Sequence, residues 1–419
     1  MKLPRAHARG IFSPCFVGSE IHPKRKLLRI HPRTYVRGFL RRRINQTKIP
    51  LLPLLCLIFL VLVSFFNLDF PTKSLLKDKT HLVKNFPELK VILGDNQEEK
   101  LKATRALVER IGVEKTLEVL KISGLPFTGE GHLAVHQVGF YAYKKYGVDS
   151  ILHCKDYFLY ACYHGAIIEA ATDHGFEVIG KMADRCKELA SRYFQCAHAS
   201  GHAILAIWNY DLPKALKTCD QVFEKETKFP DTLTSCHNGS FMENLFGVHD
   251  WGTGETPKRD WLSSDLFFPC NAFSEKYQKG CWLNQAARIY QVYSGDIVKT
   301  KETCERIGNF QYTIWCIDNL ARQIHPLTNG DITKVFELCQ YVGSFWRENC
   351  ILINAGSYYS VGDRFTGINI CNNIDVGAKQ ACFQNIISQI LSEKTSTSEK
   401  KALCKKIETN FQSKCLSQI

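Results

Sequence analysis

KVFELCQYVGSFWRENCILINAG, Lys334 to Gly356, carries the reading of the fold. KVFELC closes an amphipathic segment on Cys339, QYVGSFWREN is a short polar-aromatic connection, and CILINAG opens a new apolar run at Cys350. Two cysteines flanking a tight turn between antiparallel helices can come within disulfide reach, each bond then stapling its own hairpin, and the spacing leaves other connectivities open. The unit recurs along the chain. The cysteines after the first two fall into consecutive pairs: Cys154–Cys162, Cys186–Cys196, Cys219–Cys236, Cys270–Cys281, Cys304–Cys316, Cys339–Cys350, Cys371–Cys382 and Cys404–Cys415. Successive second cysteines stand 34, 40, 45, 35, 34, 32 and 33 residues apart. That is the period of helix–turn–helix repeats. The chain resembles tetratricopeptide-type arrays in period alone; none of that family's consensus motif is present, and no function is carried over. The expected fold is all-α: a helical-hairpin repeat array, α-solenoid or α/α-toroid-like, stapled by disulfides and preceded by one transmembrane helix.

Ahead of the repeats, LKATRALVERIG and VEKTLEVLKISG space their apolar residues at three and four, with Gly112 and Gly124 as C-caps. Gly129 to Tyr146 is expected to form a further helix. Residues 68–96, with Pro71, Pro87 and many lysines, read as a stalk. Residues 97–419 are then the repeat domain, with a histidine-bearing front half at about 125–250 and a structural rear half at about 270–419. His249 to Pro269 interrupts the repeat, and its length marks it as a candidate functional loop or lid.

The formal charge of +13 belongs to the N-terminal tail. Residues 1–48 hold thirteen Lys or Arg against one acid, Glu20, which leaves 41 basic and 40 acidic residues for the remainder. A nucleic-acid surface on the folded part is therefore not expected. The tail ends in Arg41-Arg42-Arg43 and Lys48, directly before the uncharged run from Ile49 to Phe66. Residues 49–67 read as a signal-anchor, long enough to span a bilayer. The positive-inside rule places residues 1–48 in the cytoplasm and the repeats in the lumen, the periplasm or the extracellular space. An even set of sixteen cysteines beyond the anchor suits such an oxidising compartment.

The second cysteine of each unit supplies a register for the polar residues. At +2 stand His164, His198 and Asn238, and at +6 the second unit carries His202. Position +7 holds Glu169 and Glu243. The cysteine-less helix before them fits if His132 and His136 take +2 and +6. Histidines at i and i+4 share one helix face, the simplest helical half of a metal site. At +3 the front units carry Gly165, Ala199 and Gly239, whereas later units carry Asn284, Asn319 and Asn385, expected to hydrogen-bond between helices. His132, His136, His164, His198 and His202 are thus the expected ligands of a divalent transition metal: Zn, Fe, Cu or Mn. Glu169 and Glu243 are the candidate catalytic carboxylates. His237 falls off the register, and His153 and His174 read as turn or surface residues.

No GK[ST] phosphate loop, G-x-S-x-G elbow or HExxH occurs in the sequence. The expected function is metal binding, with hydrolytic or oxygen/redox catalysis at the site, acting on a small-molecule or peptide ligand that the sequence does not specify. The alternative is a non-enzymatic scaffold for a protein or peptide, with structural or pH-sensing histidines.

Overall fold

A computed structural model describes residues 82–127, 129–226, 231–247, 259–393 and 395–419. Among these there is helix and no strand. The basic tail and the apolar segment 49–67 lie outside the described residues. No helix among the described residues is long and apolar enough to cross a membrane.

From Phe86 onward the chain forms one compact unit. Two helices, α1 (Gln97–Ile111) and α2 (Val113–Ile122), precede the repeats. There follow α3 (Glu130–Tyr146), α4 (Tyr157–His174), α5 (Phe176–Cys186), α6 (Tyr193–Ile207), α7 (Leu212–Phe223) and α8 (Asp231–Phe246). Then come α9 (Glu275–Val292), α10 (Ile297–Glu305), α11 (Phe310–Thr328), α12 (Ile332–Leu338) and α13 (Ser344–Ser360). The last are α14 (Arg364–Asn373), α15 (Val376–Ser392), α16 (Thr397–Cys404) and α17 (Thr409–Leu416). The long helices opened by each second cysteine, from α4 through α15, stack in chain order, and α3 joins the same row. The shorter α5, α7, α10, α12 and α14 form a second layer, each bridging two neighbours of the first.

Local chemistry sets these boundaries. Four second-layer helices begin on an aspartate whose carboxylate accepts a backbone N–H three residues on: Asp211 from Lys214 at 3.2 Å, Asp296 from Lys299 at 2.9 Å, Asp331 from Lys334 at 3.4 Å and Asp363 from Thr366 at 3.3 Å. Such caps satisfy donors that the first helical turn leaves open. All eight expected cysteine pairs are bonded, with Cα–Cα separations of 5.5 to 6.2 Å. Closing loops of this length stabilises by about 3 kcal/mol each on the chain-entropy estimate. The cystines are buried, as are Leu216, Phe223, Ile317 and Val335 of α7, α11 and α12.

The array curls far enough for its beginning to meet its late helices. A Cβ placed on Gly362 would stand 3.9 Å from the Phe127 ring. Burial and the nearby Arg364 lower the pKa of Lys121, against Glu118, Glu399 and Glu393, which raise it. The late part of the insertion is tied down rather than loose. Gln285 donates to the Leu266 and Phe268 carbonyls at 2.6 and 3.0 Å, and Asn244 to that of Trp261 at 2.9 Å. Residues 248–258 of that insertion lie outside the described residues.

Candidate metal centre

Two helix crossings, α3 with α4 and α6 with α8, place the histidines. A Cβ on Gly165 would stand 2.1 Å from the His136 carbonyl oxygen, and one on Gly239 2.0 Å from that of His198. In return a Cβ on Gly139 would stand 2.2 Å from the Cys162 carbonyl oxygen, and one on Gly201 2.1 Å from that of Cys236. Only residues without a side chain allow backbones this close. The two crossings are therefore the same contact made twice, and they correct the register. His136, not His132, is the counterpart of His198. The pair on α3 thus sits at −2 and +2, and the pair on α6 at +2 and +6. The two pairs are staggered by one helical turn, and His164 lies on the helix between them.

The structure gathers all five histidines. His132, His136 and His164 form one set, and His164, His198 and His202 another; within each set one ligand atom per residue lies within 4.8 Å of the others. The His132 and His136 Nε2 atoms are 3.0 Å apart, and those of His198 and His202 3.1 Å. Two nitrogens bound to one tetrahedral ion at about 2.0–2.1 Å would be separated by about 3.3 Å, so each pair is nearly spaced for an ion already. The His164 ring centroid is 5.1 and 5.6 Å from those of His132 and His136, and 5.5 and 5.3 Å from those of His198 and His202. His136, His164 and His202 are buried, while His132 and His198 are half-buried and face the approach from solvent. Burial first, and then the surrounding imidazoles, hold the His164 pKa well below the ordinary imidazole range, which keeps its ring neutral.

Each pair has an outer partner that fixes its tautomer. His132 Nδ1 donates to the Phe158 carbonyl at 2.7 Å. His202 Nδ1 donates to the fully buried Glu243 carboxylate at 2.9 Å, and Tyr210 donates to the other Glu243 oxygen at 2.6 Å. With Nδ1 carrying the proton, Nε2 keeps the lone pair that a metal needs; outer hydrogen bonds of this kind orient metal-binding histidines. The Phe158 carbonyl and the tyrosine that holds Glu243 both sit on left-handed backbone. Phe158, Leu159 and Tyr160 have φ of 55°, 53° and 62°, and Tyr210 has φ of 63°. Side-chain-bearing residues in this region cost of order 1–3 kcal/mol each, and such strain concentrates at functional sites.

Tyr210 and the Phe158 carbonyl escape the register analysis. For Tyr210 a signal is present: W-N-Y-D-L at 208–212 aligns with Y-S-G-D-I at 293–297, T-N-G-D-I at 328–332 and S-V-G-D-R at 360–364. Three units place glycine where this one places tyrosine, and Gly295, Gly330 and Gly362 all have positive φ. The insertion also reaches this tyrosine, with the Arg259 guanidinium 5.4 Å from its ring centroid.

Glu169 is not brought to the histidines; it pairs with Lys144 at 3.0 Å. The corrected register gives the reason, because Glu169 faces α3 beside Lys144 whereas Glu243, its counterpart on α8, faces His202. Glu243 in turn stands behind an imidazole and outside both triads. His237 binds Asp220 at 2.8 Å, His153 pairs with Glu114 and stacks on Tyr146 at 3.8 Å, and His174 packs on Tyr143 at 6.3 Å. Asn284 donates to the Asn238 carbonyl at 2.9 Å and Asn319 accepts from the Ala287 N–H at 2.7 Å, whereas Asn385 accepts from Gln389 of its own helix at 3.0 Å. Comparison with protein-family models, with curated proteins and with solved structures finds no match for this chain.

Proposed function

We propose that this chain is a metal protein whose helical domain binds divalent transition metal through its five histidines, presented outside the cytoplasm by a membrane anchor at residues 49–67. The observation that carries the reading is two triads of imidazoles at ligand spacing, in each of which one ring, His132 or His202, has an outer hydrogen bond on Nδ1 that leaves its Nε2 lone pair available. Three imidazoles and an open fourth position are the ligand set of catalytic zinc sites. The half-buried His132 and His198 supply the open side. An ion so held activates bound water for hydrolysis or, if redox-active, reacts with oxygen species. All-imidazole ligation favours Zn or Cu over Mn. Glu243, buried behind His202, acts as an orienting carboxylate, and Glu169, engaged by Lys144, has no part in this chemistry.

The test is elemental analysis of the full chain purified in detergent and dialysed against trace Zn(II) or Cu(II). Stoichiometric metal is expected. It should be lost from the quadruple variant His132→Ala, His136→Ala, His198→Ala, His202→Ala and kept by His153→Ala, His174→Ala. A chain that takes up neither ion would remove this reading and leave the scaffold alternative.

A further inference from the structure

The five histidines do not make one coordination sphere: their ligand atoms fall into two triads with a single member in common. His164 is nearly equidistant from both pairs, with ring centroids 5.1 to 5.6 Å away. The pairs approach it from helices on either side and are displaced along the stack by one turn, as the glycine crossings require. An imidazole has two nitrogens, on opposite sides of its ring. Each pair also has its own outer support, a backbone carbonyl on one side and a carboxylate with its tyrosine on the other.

We infer that the domain holds two transition-metal ions, one on His132 and His136 and one on His198 and His202, joined by the His164 ring as a bridging imidazolate. In forming the bridge, one His164 nitrogen bonds each ion and the remaining ring N–H proton leaves to solvent. The two positions are unequal. Glu243, itself held by Tyr210, gives His202 a carboxylate partner, the outer bond that raises a ligand's basicity, whereas His132 has a backbone carbonyl. The His198/His202 position therefore fills first. The inference rests on the metal-binding reading above and extends it to the number of ions and the role of one residue.

The experiment is a Cu(II) titration of the full chain in detergent, followed by elemental analysis and electron paramagnetic resonance. Two ions per chain are expected in the wild type. The Cu(II) signal should rise through the first equivalent and fall through the second, because an imidazolate bridge couples the two spins antiferromagnetically. His164→Gln should abolish that fall, and each double variant (His132→Ala, His136→Ala or His198→Ala, His202→Ala) should keep one ion with a full, uncoupled signal. Saturation of the wild type at one ion, with each double variant also keeping one, would mean a single ion choosing between two positions and would overturn the inference. Two ions with additive signals would overturn the bridge. Uptake of no ion by the wild type would sink the parent reading as well, so the two failures are distinct. The wild-type spectrum decides the matter even where a variant folds poorly.

Discussion

The front and rear halves of the array solve the same packing problem with opposite residues. Between α3 and α4, and between α6 and α8, glycines let one helix backbone lie on the next. Between later helices an asparagine fills the gap: Asn284 and Asn319 bond across to the neighbouring helix, and Asn354 donates to the Ala321 carbonyl at 3.0 Å. An amide in the seam satisfies backbone groups and fixes spacing, which is what a structural repeat needs. Glycine in the seam supplies no bond of its own. It draws the helices together, so that side chains one turn either side meet across the crossing, His132 and His136 with His164 at one and His202 with Glu243 at the other. The half that gives up stabilising hydrogen bonds for close approach is the half that carries the histidines and the left-handed Tyr210.

The strongest way to break this contrast is at the crossings. Gly165→Ala or Gly239→Ala should destabilise the domain by about 3 kcal/mol, the upper end for overpacking, because the obstacle is a carbonyl of the neighbouring backbone. A lowered thermal midpoint together with lost metal is the expected result; an unchanged midpoint would show that the helices are not in contact there.

In the rear half the buried Asn354 also bonds the Cys350 carbonyl at 2.9 Å. Asn354→Ala should cost about 2 kcal/mol through the lost amide bonds to the Ala321 and Cys350 carbonyls, at about 1 kcal/mol each. Metal content should stay at the wild-type value, and a parallel loss of metal would erase the division between the halves.

Tyr210→Phe tests the outer support of the centre with little effect on packing. It removes the hydroxyl that holds Glu243, and ion affinity should fall about tenfold, the lower end for loss of an outer-shell partner. A competition titration against a chelator of known affinity reads this out. Unaltered affinity would reduce the tyrosine to a packing residue.

The smallest effect is expected at Gly180, inside α5, where a Cβ meets nothing within 4 Å. Gly180→Ala should raise stability by about 0.8 kcal/mol, the helix-propensity difference, and leave metal content unchanged. A destabilising result would mean that front-half glycines are needed beyond the crossings.

What the sequence determined by itself is what depends on short separations. Cysteine spacing pointed to eight consecutive pairings, because a hairpin of ten or so residues brings its own two cysteines within reach, and left other connectivities open until the structure showed all eight bonds. The four-residue spacing of His132 with His136 and of His198 with His202 fixed which rings share a face. The five-histidine set was legible for the same reason, since repeats of constant period bring equivalent faces together. Only the tertiary structure decided how neighbouring helices slide along one another. That slide is set by where glycines meet carbonyls across a crossing, and it put α3 one turn away from the register read from its histidines. It assigned Lys144 to Glu169 and His202 to Glu243, two carboxylates that the register could not tell apart. It brought Tyr210 beneath Glu243 from a turn where the other units have glycine. It also brought Phe127 to Gly362, because the curl of an array accumulates from small rotations at each interface and no local stretch of sequence encodes the sum.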